Sequence, residues 1–191
     1  MAAKLFVHEV SRASLVNGPG TRAVVWVQGC SIGCPGCFNP ETHAVHSASS
    51  DRGSDPEELG EALGRYGVDG LTVSGGEPLE QPEAVAALIQ AFRRVNPGTV
   101  LIFSGLSPQR IFASPQARQT VLLADVVLAG PYVEGAGSSE IWNNKQLILV
   151  TDRIDPAELA PEKRLEVSLQ TSGQLRVSGY PGPAEREFFR N

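Results

Sequence analysis

The amino-acid sequence predicts an α/β fold, an incomplete (βα)-type barrel with parallel strands that is followed by a C-terminal β-hairpin. Short apolar segments rich in β-branched residues alternate with amphipathic segments of helical period, which is typical of parallel βα units. A complete eight-stranded barrel takes about 200 to 250 residues, and the chain has only 191. The final part of the chain alternates like a hairpin, so it adds no βα unit.

The first predicted unit is a strand followed by a capped helix. Residues 23–28 form a short apolar run with many β-branched side chains, as expected of a buried strand. Asp55 can cap the next helix, with Pro56 at its first position and Glu58 completing a capping box. One helix face should then lie on a sheet, because apolar residues recur at three- and four-residue spacing. They are Leu59, Ala62, Leu63 and Tyr66.

The same alternation continues through the middle of the chain. Residues 70–74 predict a strand and residues 82–95 a helix. The apolar side of that helix consists of Val85, Leu88, Ile89, Phe92 and Val95. The following segments predict a strand at 100–103, helical material between 107 and 124, and strands at 126–128 and 146–150.

The C-terminal segment predicts a β-hairpin. Residues 164–169 and 174–177 alternate on either side of a short turn. We expect this hairpin, about 163–180 in all, to cover an edge of the sheet. At 191 residues the whole chain fits one domain.

Composition and charge argue against several classes of function. Hydrophobic residues make up 41% of the chain and charged residues 19%. No apolar run approaches the roughly 18 residues of a membrane-spanning helix, and the N-terminus shows no secretory signal. We therefore expect a cytoplasmic protein with no membrane partner. The formal net charge of -5 argues against nucleic acid as a partner.

The only three cysteines of the chain, Cys30, Cys34 and Cys37, lie in one short segment. Clustered cysteines in a cytoplasmic chain bind metal or carry out chemistry more often than they form disulfides. A cubane [4Fe–4S] cluster normally takes four thiolates, so this set would leave one iron open to a small-molecule ligand. The alternative is structural zinc, with His43 or His46 as the fourth ligand.

A second motif, Ser74-Gly-Gly-Glu-Pro78, directly follows a predicted strand. Ligands collect at the C-terminal ends of parallel strands, and the cysteines follow the preceding strand. The amino and carboxylate groups of S-adenosylmethionine (SAM) would suit the open iron. Carbonyls near Gly75 and Gly76 would then accept from its ammonium group, with Glu77 fixing the turn or adding charge. Together the two motifs predict a SAM site.

These motifs resemble the radical SAM superfamily, in particular the activating enzymes of anaerobic (class III) ribonucleotide reductase. The resemblance rests on Asn17-Gly-Pro-Gly-Thr-Arg22, on residues 29–39 and on residues 74–78. It extends over about 16–152, which it implies to be the core of a single radical SAM domain. Activases of other glycyl-radical enzymes, such as pyruvate formate-lyase, share the Gly-Pro-Gly segment and the cysteines. Residues 141–146 depart from the family: they read Ile-Trp-Asn-Asn-Lys-Gln, where the family has Trp followed by Arg-Gly-Ser and then Asn-Gln.

The resemblance implies cofactors, partners and site residues. The three cysteines would be the catalytic ligands of a [4Fe–4S] cluster, and reductive cleavage of SAM would yield a 5′-deoxyadenosyl radical. A flavodoxin- or ferredoxin-like protein would donate the electron, and a glycine Cα–H of a partner protein would be attacked. The implied SAM contacts are Gly36 and Phe38 at the adenine, and Ser74, Gly75, Gly76 and Glu77 at the methionine end.

Three further residues are candidates for the mouth through which a substrate enters. Asn17 and Arg22 flank a glycine-proline turn, and turn chemistry explains them equally well. Trp142 could line the opening or cap the base of the barrel. The altered segment around Trp142 also keeps a second hypothesis open, radical modification of a small molecule or short peptide. A non-catalytic iron–sulfur or zinc module is a third.

Overall fold

A computed structural model of the chain describes residues 3–37, 39–44, 53–133, 145–159, 165–169, 173 and 175–179. The strands in these ranges are β1 (Val7–Ser14), β2 (Arg22–Val27), β3 (Gly70–Gly75), β4 (Thr99–Ser104), β5 (Val126–Ala129), β6 (Gln146–Leu149), β7 (Leu165–Leu169) and β8 (Leu175–Gly179). The α-helices are α1 (Pro56–Gly64), α2 (Pro82–Val95), α3 (Pro108–Ala113) and α4 (Pro115–Val121), and short 3-10 helices lie at Pro40–Thr42, Pro78–Glu80 and Pro156–Leu159.

The first six strands form one sheet in the order β1-β2-β3-β4-β5-β6. β2 to β5 are parallel to one another, which confirms the predicted parallel centre. The two edge strands differ, since β1 is antiparallel to β2 and β6 is antiparallel to β5. The strand predicted at 146–150 is thus present but is not part of a parallel unit, and antiparallel neighbours need no crossover helix.

The strand order decides where the helices lie. Each parallel strand pairs with its neighbour in sequence, so right-handed crossovers place α1 to α4 on one face of the sheet. The larger core lies between this face and the helices, and a smaller core of Leu101, Val126, Leu128, Ile154 and Leu159 lies apart from it. Helices on one side of a consecutively ordered sheet are the arrangement of an unclosed barrel, which confirms the predicted fold class.

α1 begins as predicted but packs differently from its apolar pattern. The carboxylate of Asp55 accepts hydrogen bonds from the N–H groups of Glu57 and Glu58, at 2.9 and 3.2 Å. Ala62 and Tyr66, predicted to face the sheet, are exposed instead. The buried residues of α1 are Pro56, Gly60, Leu63 and Gly64. A side chain at Gly60 would clash with the backbone of α2, so the glycines allow the two helices to approach at backbone distance.

α2 occupies the predicted residues. Of its five predicted apolar residues, four are fully buried and Val95 is 40% exposed. Val95 lies in the last turn and covers Gly64 of α1, because a Cβ added at Gly64 would meet its Cγ2 atom. Val95 therefore contributes to helix–helix packing and not to the sheet face.

The C-terminal hairpin is confirmed, with β7 and β8 paired antiparallel. The backbone N–H of Leu15 donates to the Glu166 carboxylate at 3.0 Å, and the Asn17 side-chain amide donates to the Ser178 hydroxyl at 2.8 Å. Both contacts lie in the loop just after edge strand β1, so the hairpin meets the end of that edge. Within the described ranges, no helix is both long and apolar enough to cross a membrane.

Candidate active site

The C-terminal ends of the parallel strands bring both sequence motifs to one open cavity. The segment with the cysteines, residues 29–43, follows β2 and is called the cysteine loop. The second motif, residues 74–78, follows β3 and is called the glycine motif. The cavity and the open solvent at its mouth together occupy about 610 Å³, and all three cysteines and residues 74–77 line it. The predicted convergence of the two motifs is therefore present in the structure.

The cysteine loop is anchored where it leaves the sheet and where it returns. The N–H of Gly29 donates to the carbonyl of Thr42 at 2.8 Å, and the N–H of Cys30 donates to the carbonyl of His43 at 3.3 Å. His43 also lines the cavity. These bonds join the two ends of the loop to each other. The cysteine side chains are therefore held near the strand ends.

The tip of the cysteine loop is a tight turn. The N–H of Cys37 donates to the carbonyl of Cys34 at 3.1 Å. Gly33 and Gly36 have φ values of +62° and +66°, in the left-handed region that glycine adopts without a steric penalty. The glycines thus let the chain fold back between the cysteines.

Two side chains that the sequence did not single out support the loop. The Gln28 amide donates to the carbonyls of Glu41 and Ala44, at 3.1 and 3.0 Å. The Glu80 carboxylate accepts from both the backbone N–H and the hydroxyl of Ser31. Neither residue belongs to a recognisable motif, and their partners are distant in sequence or are backbone atoms.

The donor set of the loop fits an iron–sulfur cluster. The three cysteines are free and partly buried, and burial raises the pKa of the Cys30 and Cys37 thiols. Metal binding offsets this effect because the thiolate is the ligand. In the described ranges no three His, Cys, Asp or Glu side chains converge on a single ion. A cubane needs no such convergence, since each thiolate binds a different iron.

The glycine motif is bonded directly to the start of the cysteine loop. The N–H of Gly76 donates to the carbonyl of Val27, and the N–H of Glu77 donates to the carbonyl of Gly29, both at 2.8 Å. A Cβ at Gly76 would clash with the Gly29 carbonyl, and one at Gly75 would lie 2.5 Å from the Val27 nitrogen. Glycine is therefore required at both positions because neighbouring backbone atoms leave no room for a side chain. The sequence alone does not show this close approach.

Gly76→Ala is expected to push the glycine motif away from the cysteine loop. The added methyl group collides with backbone that cannot rotate aside, so we expect a loss of about 1–3 kcal/mol in the free energy of unfolding and weaker SAM binding. Urea unfolding of the apo protein and equilibrium dialysis with SAM would measure both effects. Gly67→Ala is the control for SAM binding: its Cβ would meet nothing within 4 Å, so it carries only the backbone strain of a φ of +67° and should leave SAM binding unchanged. Wild-type SAM binding by Gly76→Ala would contradict the expectation.

Glu77 joins the ends of β3 and β4. Its side chain is fully buried, and its carboxylate accepts from the N–H of Leu79 at 2.9 Å, the hydroxyl of Ser104 at 2.8 Å and the N–H of Gly105 at 2.6 Å. Burial raises its pKa, although these hydrogen bonds favour the charged form. Of the two roles considered from the sequence, the contacts support fixing the turn.

Lys145 is a cavity residue that the sequence did not single out. Its ammonium group donates to the carbonyls of Ser104 and Gly130, at 2.9 and 2.6 Å. Because β6 is antiparallel to β5, the start of β6 lies at the same edge as the C-terminal ends of the parallel strands. The only available signal was the departure of residues 141–146 from the family pattern.

Asn17 and Arg22 lie at the opposite end of the sheet. Arg22 begins β2, is fully buried, and donates to the hydroxyl of Thr72 and to the carbonyls of Leu71 and Thr99. Burial lowers the pKa of its guanidinium to about 10. The Thr72 hydroxyl in turn donates to the Asn17 carbonyl at 2.8 Å. The structure thus places both residues at the base of the sheet, away from the cysteines. Phe38, His46 and Trp142 lie outside the described residues.

Sequence comparisons identify the family of the chain. The family described as a 4Fe-4S single cluster domain matches residues 16–147. The anaerobic ribonucleoside-triphosphate reductase-activating protein of Escherichia coli (strain K12) is 30% identical over 71% of this chain and 90% of its own length. The protein of that name from Enterobacteria phage T4 is 27% identical, over 73% and 90%. The pyruvate formate-lyase-activating enzyme of Clostridium pasteurianum is 36% identical, over 44% and 37%.

The family match defines the class of protein, one with a single [4Fe–4S] cluster, and the unclosed barrel and the cysteine loop beside the glycine motif fit that class. The chain belongs to the 4Fe-4S single cluster domain family and, within it, to the glycyl-radical activase group of radical SAM enzymes. It is an enzyme, and its cofactors are a [4Fe–4S] cluster and SAM. These findings do not support the zinc site or the non-catalytic module.

Proposed function

We propose that this chain activates a glycyl-radical enzyme of the anaerobic ribonucleotide reductase class. The observation that carries the proposal is the extent of the match: the reductase-activating protein of E. coli aligns over 90% of its length. The pyruvate formate-lyase-activating enzyme of C. pasteurianum aligns over only 37% of its length. The comparison therefore supports a reductase-type partner over a lyase-type partner, and a protein substrate over a small molecule or short peptide.

In this proposal Cys30, Cys34 and Cys37 each bind one iron and leave the fourth iron for SAM. Gly36 and Phe38 would contact the adenine, and residues 74–77 would lie at the methionine end. When bound, the reduced cluster supplies the electron that splits SAM into methionine and a 5′-deoxyadenosyl radical. Support comes from the shared cavity, which the three cysteines and residues 74–77 line together.

The chain's own residues position these groups. The two hydrogen bonds that join the glycine motif to Val27 and Gly29 fix its distance from the cysteine loop. Glu77 ties the same motif to the end of β4 through Ser104 and Gly105. The ends of β2, β3 and β4 are thereby held together. Groups that are held in a fixed geometry favour the intended reaction of a radical over its side reactions.

The remaining parts of the proposal concern the setting of the reaction. We include a flavodoxin- or ferredoxin-like electron donor, a cytoplasmic location and one radical SAM domain with its core at about 16–152. The family match over residues 16–147 supports the last of these. Replacing a chemical reductant with reduced flavodoxin would test the donor, and the expected result is 5′-deoxyadenosine formation that depends on flavodoxin.

The test of the proposed function is an anaerobic activation assay. The reconstituted enzyme, SAM and a reductant are incubated with a co-encoded anaerobic reductase, and we expect a glycyl-radical doublet in electron paramagnetic resonance. The control is a reductase variant whose radical-site glycine is alanine, which should give no doublet. Formation of 5′-deoxyadenosine without a doublet on any co-encoded partner would overturn the reductase substrate. No 5′-deoxyadenosine at all would overturn the radical function.

A further inference from the structure

Lys145 places a cationic side chain beside the cysteines. It lines the same cavity as Cys34, Cys37 and Glu77, and it is the only lysine or arginine among the described residues that do so. Two main-chain carbonyls, of Ser104 and Gly130, accept hydrogen bonds from its Nζ atom at 2.9 and 2.6 Å. These acceptors belong to the ends of β4 and β5, so the side chain is held by the rigid part of the fold.

Two opposing effects act on the charge of Lys145. Burial lowers the pKa of the lysine below its ordinary value, and the nearby Glu77 carboxylate and the Cys34 and Cys37 sulfurs offset only part of that effect. Within the described part of the chain, no carboxylate forms an ion pair with Lys145. Its partners there are neutral carbonyls, so the positive charge is positioned without being neutralised by a direct partner.

We propose that Lys145 tunes the reduction potential of the cluster, an inference that rests on the proposed cysteine ligands. One-electron reduction by the external donor adds one negative charge to the cluster and breaks no bond. A fixed positive charge nearby stabilises the reduced form, because net charge around a cluster is one of the determinants of its potential. Lys145 thus makes the first step of the reaction easier.

The experiment is a redox titration of the reconstituted cluster without SAM, followed by electron paramagnetic resonance of the reduced form. Lys145→Gln removes the charge but keeps an N–H donor, and Lys145→Met removes both. We expect each to lower the ratio of reduced to oxidised cluster about tenfold at a given potential, a shift of about 59 mV to a more negative value. Lys145→Arg keeps the charge and should stay near the wild-type potential.

The outcomes separate this inference from the proposed function. A wild-type chain that assembles no [4Fe–4S] cluster would overturn the cysteine site itself. Wild-type potentials for both Lys145→Gln and Lys145→Met would overturn only the role of Lys145. A shift in Lys145→Met without one in Lys145→Gln would assign the effect to hydrogen bonding and would also overturn it. If neither variant holds a cluster while Lys145→Arg does, Lys145 is structural and the redox role is excluded.

Discussion

Replacing any one of Cys30, Cys34 and Cys37 with alanine is expected to reduce 5′-deoxyadenosine formation to the background seen without SAM. Each thiolate would bind one iron, so the loss of one leaves two irons without protein ligands and the cluster poorly held. The chain has no other cysteine that could take over the vacant position. Iron and sulfide analysis after reconstitution, with chromatography of the nucleoside product, would measure the loss.

Pro35→Ala is the matched control for the cysteine variants. Pro35 lies between Cys34 and Cys37 in the same turn, is exposed, and has no ligating atom in its side chain. This variant should keep its iron content and most of its activity. A cysteine variant that keeps the wild-type iron content and SAM cleavage would remove that cysteine from the ligand set, and His43, which also lines the cavity, would be the next residue to test.

Asp125→Ala is expected to cause the largest loss of stability, about 3 kcal/mol in the free energy of unfolding. Asp125 is fully buried. Its carboxylate accepts from the guanidinium of Arg93 at 2.8 Å, the N–H of Val100 at 2.7 Å and the hydroxyl of Thr151 at 2.7 Å. Alanine leaves these donors unpaired. The loss should fall at the low end of the range for broken buried pairs because the Arg93 side chain is 31% exposed and can be partly hydrated.

The Asp125 contribution should depend on pH in a defined direction. Burial raises its pKa, but the hydrogen bonds from Thr151 and Val100 and the charges of Arg93 and Arg153 outweigh that effect and hold the pKa below its ordinary value of 3.8. The stabilisation is therefore fully present above pH 3.8 and is lost as pH falls through the lower folded-state value. The difference between wild type and Asp125→Ala should shrink in that acidic range.

Urea unfolding of the apo proteins at several pH values would measure the Asp125 effect. Asp152→Ala is the control, because Asp152 is nearby in sequence and exposed, and surface substitutions of this kind change stability by about 0.5 kcal/mol or less. Equal stability of the two variants at neutral pH would contradict the stabilising role assigned to the Asp125 hydrogen bonds.

Local patterns predicted most elements of the fold. Alternating apolar runs and helical periods place β2 to β5, and the α2 bounds match the predicted residues. The cap at Asp55 is also as predicted, because capping depends on a few neighbouring residues. The direction of β6 could not be predicted in this way. Its antiparallel pairing with β5 depends on how the chain returns to the sheet, and an apolar run has the same appearance in either direction.

The candidate site was likewise predictable only in part from the sequence. The three cysteines and the glycine motif are recognisable because the chemistry of a cluster and its ligand demands particular residues at short spacing. Gln28, Glu80 and Lys145 carry no such signal, since a polar residue at a strand end has many ordinary uses. Their roles appear only when the strand ends are brought together, where each bonds to residues far away in sequence or to main-chain carbonyls.

What can be read from the order of residues is therefore the class of chemistry, indicated by three cysteines on one loop beside a glycine motif, together with an incomplete α/β barrel. What required the folded chain is the location and charge of the surrounding side chains. Packing places Asn17 and Arg22 at the base of the sheet, and the antiparallel return of β6 carries Lys145 to the cavity. Ligand identity is a local property of side chains, whereas the environment of a site is the sum of contacts between distant segments.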